Sequence, residues 1–122
     1  MEPGAMGFVH VNIRLSNPSE PDRAEEVNVL VDTGATLSVF PSGLLDRLGI
    51  QRTGQRRLRG FGGVIMRATG TVNLTYGGEV AGVTAVFGED SDPTVMGVTA
   101  LESLGFNVNP VAGGLDRVEM LI

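Results

Sequence analysis

Apolar and polar residues alternate along much of this chain with a period of two, in short runs. Phe8-Val9-His10-Val11-Asn12-Ile13-Arg14-Leu15 puts every second side chain on one face, as a strand with one buried side requires. Ser16-Asn17-Pro18-Ser19-Glu20-Pro21-Asp22 is turn chemistry throughout and predicts a loop. A second strand follows, ending in the apolar-rich run Val27-Asn28-Val29-Leu30-Val31. Residues 55–59 and 64–68 flank Gly60-Phe61-Gly62-Gly63 and read as a hairpin with a mobile glycine tip. Residues 71–76 and 80–87 form another hairpin around Gly77-Gly78, and Glu89-Asp90-Ser91-Asp92-Pro93 is an exposed loop.

Two segments break the period of two. Ser42 is placed to cap a short helix with Leu44, Leu45 and Leu48 on one side and Gly49 as its stop. Thr99 and Glu102 stand three apart as a capping box before Leu101 and Leu104, and Gly105 ends that helix. The two share a Leu-acid-x-Leu-Gly-apolar string, ending at Ile50 and at Phe106. Each follows a strand-to-glycine turn, so the likeness reads as an internal quasi-repeat, the alternative being coincidence between common helix endings.

Composition narrows the class. A chain of 122 residues is a single domain over 1–122, too short for two lobes. With 42% hydrophobic and 19% charged residues it is ordered, and 18 glycines favour a plan of many tight turns, hence mainly β. There is no Cys and a single His10, which excludes disulfides, thiolate zinc sites and a histidine base network. His10 itself reads as an ordinary strand residue. Neither metal nor cofactor is expected, so any catalysis must rest on carboxylates or hydroxyls. A net charge of −5 argues against nucleic acid as a partner, and no apolar run approaches the ~20 residues that span a bilayer. Met1-Glu2-Pro3-Gly4 lacks the character of a signal peptide, so the expected location is cytoplasmic, a trimmed leader aside.

The candidate chemistry is Asp32-Thr33-Gly34-Ala35, entered from the strand that ends at Val31. A carboxylate at the end of a buried strand is unfavourable to leave alone, because burial disfavours the charged form. The chain has one Asp-Thr-Gly and no second to face it, which points to Asp32 of another copy. The bland alternative is an aspartate that merely caps a turn.

The order of landmarks carries a resemblance. Asp32-Thr33-Gly34-Ala35, then Thr36-Leu37-Ser38-Val39-Phe40-Pro41, then Val95-Met96-Gly97 and a short helix resembles the retropepsin-like, single-lobe aspartic proteases, above all their prokaryotic members. The resemblance runs from about Phe8 onward. It implies a closed β-barrel of the acid-protease fold with one or two short helices, one lobe per chain, and a symmetric homodimer that hydrolyses peptide or protein substrates. It assigns Asp32, Thr33 and Gly34 to catalysis, Thr33 also reaching across the dimer axis, and Ala35 to the substrate. Phe61, Gly62 and Gly63 fall on the flap that covers substrate. Val118, Met120 and Ile122 fall on terminal strands that interleave between subunits, packing onto the same monomer being the competing explanation.

Two departures stand out. Thr36 and Leu37 occupy positions where retroviral relatives carry acidic residues, and Val98 stands where they carry an arginine. The retroviral pattern of substrate contacts is therefore not expected here. Arg52, Arg56, Arg57 and Arg59 precede the flap tip and either favour acidic peptides or form a solvated strand face. The alternative to an aspartic endopeptidase is a catalytically silent module of the same fold that binds peptides or serves assembly.

Overall fold

The alternation at the start of the chain becomes the inner wall of a ring. In a computed structural model, which describes residues 8–60, 62–120 and 122, β1 (Val9–Asn17) buries Val9, Val11, Ile13 and Leu15 and turns the residues between them outward. It pairs antiparallel with β2 (Glu20–Val31), Val9 opposite Val31. Burial alternates through the end of β2 as well, with Val29 and Val31 inside and Asn28 exposed.

Five more strands complete the main sheet. These are β3 (Ser38–Pro41), β4 (Gly54–Gly60), β5 (Gly63–Tyr76), β6 (Glu79–Gly88) and β7 (Val95–Met96). The sheet order is β1-β2-β7-β3-β6-β5-β4, and three residues of β1 also pair with β5, Arg14 through Ser16 against Thr75 through Asn73. Six strands thus return on themselves, and β4 lies outside the ring, bonded to β5. A two-stranded ribbon of β8 (Phe106–Asn109) and β9 (Gly114–Arg117) stands apart. Two helices, α1 (Ser42–Arg47) and α2 (Val98–Leu104), follow β3 and β7 directly. Their Leu44, Leu45, Ala100, Leu101 and Leu104 join the core of Phe40, Val72, Leu74, Phe87 and Met96. The fold is mainly β with two short helices, as the sequence implied.

Several local expectations are corrected. The turn read over residues 16–22 contracts to Pro18 and Ser19. Asn17 explains this: its Oδ1 accepts the Ser19 N–H at 2.8 Å and its Nδ2 donates to Leu48 O at 2.8 Å, so one buried side chain completes a tight turn and lets both strands run on. Neither helix uses its expected cap. The N-cap positions are Pro41 and Gly97, without a side-chain cap, and Ser42 Oγ donates to Gly88 O. β3 runs straight into α1 and only Gly97 separates β7 from α2, so the residues read as caps already lie inside the helices.

The two arms 64–68 and 71–76 belong to one strand, β5, which runs through Gly70. A Cβ there would lie 2.4 Å from the Gln51 carbonyl oxygen, a close approach only glycine allows. The helix stops are as expected, Gly49 at φ 75° and Gly105 at φ 83°. Leu45, Leu48 and Ile50 are buried at one stop, and Leu101, Leu104 and Phe106 at the other. The expected final strand ends at Arg117, beyond which Val118 N–H donates to Gly105 O at 2.9 Å.

Candidate active site

Asp32 sits where β2 leaves the ring, and the path of the next five residues follows from the strand order. β7 lies between β2 and β3, so the connection from β2 to β3 must pass around the end of β7. Hydrogen bonds clamp this crossing on both sides. The Asp32 N–H donates to Met96 O at 2.9 Å, Val98 N–H to Ala35 O at 2.8 Å, and Thr99 N–H to Thr36 O at 3.2 Å. Within the loop, Ala35 N–H donates to Asp32 O at 3.1 Å. Backbone groups that a turn would leave to water are therefore paired across two segments sixty residues apart.

Two residues outside the expected set make the clamp possible. Gly97 is buried, and a Cβ on it would fall 2.7 Å from the backbone carbon and oxygen of Leu37 and 2.9 Å from Ala35 O. Its N–H donates to Ser38 Oγ at 3.1 Å, and Ser38 is 1% exposed. The sequence marked Gly97 as a landmark and gave it no role, and it gave Ser38 none. The available signal was a glycine after two apolar residues, the sign of close backbone approach.

Asp32 itself is half-buried, not buried. The strand carries it to the rim of the ring, where it is only partly shielded from water. Its Oδ1 accepts the Gly34 N–H at 2.9 Å. Gly34 has no positive φ; what glycine provides is room, since a Cβ would lie 3.3 Å from that same Oδ1. Thr33 and Gly34 are exposed beside it and Ala35 is half-buried. Phe8, Leu30, Val31, Asp32 and Thr33 line a shallow cavity of about 170 Å³. Among the described residues Asp32 makes no ion pair, and no group of three or more acidic or histidine side chains is placed to hold a metal.

The expected flap is a hairpin of β4 and β5 in which Gly60 pairs with Gly63, at φ 106°, while Gly62 lies exposed in the turn. Phe61 lies outside the described residues. The base of the hairpin is held by a bidentate ion pair, Arg67 Nε to Asp92 Oδ2 at 2.8 Å and Arg67 Nη2 to Asp92 Oδ1 at 3.3 Å. Asp92 Oδ2 also accepts the Glu89 N–H. The Arg67 bond, then that backbone N–H, hold the Asp92 carboxyl below its usual range. Asp92 lies three residues before β7, so the β4–β5 hairpin and the Asp32 loop are linked through one short segment. Val118, Met120 and Ile122 are exposed. Arg52 pairs with Asp46 and stacks on Phe87, apart from the other arginines of its expected cluster.

A closed β ring whose lone strand-end aspartate is gripped by the strand-to-helix junction of the other half defines the single-lobe acid-protease class. The comparisons agree. A family model described as aspartyl protease matches residues 20–111, and the chain belongs to that family. Among solved structures it is similar to EIAV protease complexed with the inhibitor HBY-793, at 23% identity and TM-score 0.63, covering 84% of this chain and 92% of that one. That likeness establishes the retropepsin-like fold. A search of curated proteins gave no match.

Proposed function

We propose that the protein is an aspartic endopeptidase whose active site forms when two chains bring their Asp32 carboxylates together across a twofold axis. The observation that carries this reading is the half-buried Asp32 at the rim of the ring, its loop clamped by backbone bonds to Met96, Val98 and Thr99, in a chain whose sequence has a single Asp-Thr-Gly. Two such carboxylates at about 3 Å cannot both ionise and share one proton. They titrate as a pair.

The ionised member takes a proton from a water held between them as that water attacks the scissile carbonyl carbon. The protonated member donates to the carbonyl oxygen and stabilises the tetrahedral oxyanion. Proton return to the amide nitrogen releases the amine and leaves the pair with one proton again. Neither a metal nor a covalent intermediate enters this scheme. Gly34 N–H keeps Asp32 Oδ1 oriented, which leaves the other oxygen for the water. Thr33, exposed beside the carboxylate, is suited to bridge the two loops, and Ala35 leaves space for a peptide. The β4–β5 hairpin closes over the substrate and excludes water, and the exposed Val118, Met120 and Ile122 are buried on dimerisation.

The test is cleavage of a mixed peptide library from pH 3 to 7 at several protein concentrations. The wild type cuts best on the acidic side, where the pair holds one proton, with activity rising faster than linearly with concentration. Asp32→Asn lowers kcat by about a thousandfold or more. A dimeric wild type that cuts nothing at any pH refutes the enzyme and leaves a peptide-binding module.

A further inference from the structure

The fold provides partners for most of its arginines. Of the nine arginines in the chain, Arg23, Arg47, Arg52, Arg67 and Arg117 form ion pairs, and Arg14 donates to Pro21 O. The three that bond no described residue, Arg56, Arg57 and Arg59, all lie on β4, and all are exposed. That strand carries no acidic residue, although the chain as a whole has a net charge of −5. The arginines without a bonded partner among the described residues are therefore gathered on one strand of an acidic protein.

Arg56 stands directly opposite Arg67 in the β4–β5 ladder. Like charges in cross-strand register destabilise a sheet unless each finds an anion. Arg67 has Asp92 and Glu89; Arg56 has none among the described residues. β4 is also the end of the seven-strand order, bonded to β5 alone, so its outer backbone N–H and C=O groups are open to another extended chain. A second copy of the same edge would bring three guanidinium groups against three. An acidic peptide would neutralise them.

We propose that the outer edge of β4 is a docking strip for an extended acidic segment of the peptide substrate, with Arg56, Arg57 and Arg59 as its specificity-determining residues. Arg57 and Arg59 share one face of the strand and lie about 6.6 Å apart along it, the spacing of alternate residues in an added strand, while Arg56 meets the other face. The segment recognised thus has acids at two alternate positions and a third next to one of them. The inference rests on the protease reading only in calling the bound peptide a substrate.

Fluorescence anisotropy tests it on Asp32→Asn protein, in which cleavage is removed and binding is read alone. The probes are a labelled Val-Glu-Val-Glu-Glu-Val peptide and its all-Gln counterpart, at pH 7 in low and high salt. The Glu peptide is expected to bind about tenfold more tightly at low salt, three exposed charge pairs each adding a modest share, and the margin shrinks with added salt. R56Q/R57Q/R59Q abolishes the preference and R56K/R57K/R59K retains most of it. R57Q/R59Q, a milder change, loses the larger part. Equal binding of the two peptides overturns the proposal. So does a preference that survives the Gln variants, or Gln variants that self-associate without losing peptide affinity, in which case the arginines only protect the edge. Tight acidic binding by a wild type that cleaves nothing would instead refute the protease and leave the docking strip standing.

Discussion

The Asp32 loop, proposed as catalytic, and the β4–β5 hairpin, proposed as the flap, are both glycine-containing turns, yet they are held in opposite ways. Residues 32–36 are fixed by backbone hydrogen bonds to Met96, Val98 and Thr99, with Gly97 and Ser38 filling the space between. The β4–β5 hairpin is exposed along most of its length and is anchored at its base by Arg67 and Asp92. The difference matches the tasks proposed for them. A carboxylate that must meet a second one within a few tenths of an ångström needs an over-determined backbone. A lid that must open needs few attachments.

Substitutions at the two anchors should therefore differ in size. The largest effect is expected for Gly97→Ala, whose Cβ would press on the Leu37 backbone at 2.7 Å. Backbone cannot give way as a side chain can, so the expected loss is about 3 kcal/mol or more, read as a drop in Tm together with loss of activity. Ser38→Ala leaves the buried Gly97 N–H unpaired and should cost about 1–3 kcal/mol, measured by urea unfolding. Wild-type stability after this change would mean that the clamp is less exacting than its geometry.

Asp92→Asn should have the smallest effect, and a pH signature. The Asp92 carboxyl is held below its usual range by Arg67. Its contribution is therefore complete above about pH 4, the carboxyl's usual value, and is lost as pH falls through the lowered value. The Tm of Asp92→Asn should lie a few degrees, ~3 °C, below wild type at pH 7, and the two should converge near the acid limit. Activity at pH 7 should change through KM more than through stability, because the flap is what comes loose. A Tm gap that persists unchanged at low pH would show that the ion pair is not the anchor.

Much of this contrast was legible in the sequence, because it is written in local terms. Period-two runs marked β1 and the hairpin arms, and the glycine pair at 77–78 marked a turn in which both residues take positive φ. Asp32 was found from its strand and its glycine. What local patterns do not carry is pairing at a distance. The closure of β1 onto β5, the grip of Gly97 on Leu37 and the union of Arg67 with Asp92 each join residues far apart in sequence. The same limit explains the misplaced caps. Ser42 and Thr99 have the right chemistry to start helices, but both helices begin at strand ends fixed by the ring, so Ser42 Oγ turns to Gly88 O. The half-burial of Asp32 was also beyond the pattern, since the apolar run before it does not reveal that the strand has reached the rim.

The central claim is that the second carboxylate belongs to another chain, and poisoning by an inactive copy tests it most directly. Wild type at fixed concentration would be pre-incubated with Asp32→Asn protein in ninefold excess and its peptide cleavage followed. If Asp32 works as a pair across a twofold axis, most wild-type chains enter mixed dimers and activity falls to about a tenth. Activity unchanged by the excess, under conditions in which the two proteins are seen to exchange subunits, would mean that one chain cleaves with its own Asp32 and would contradict the shared site.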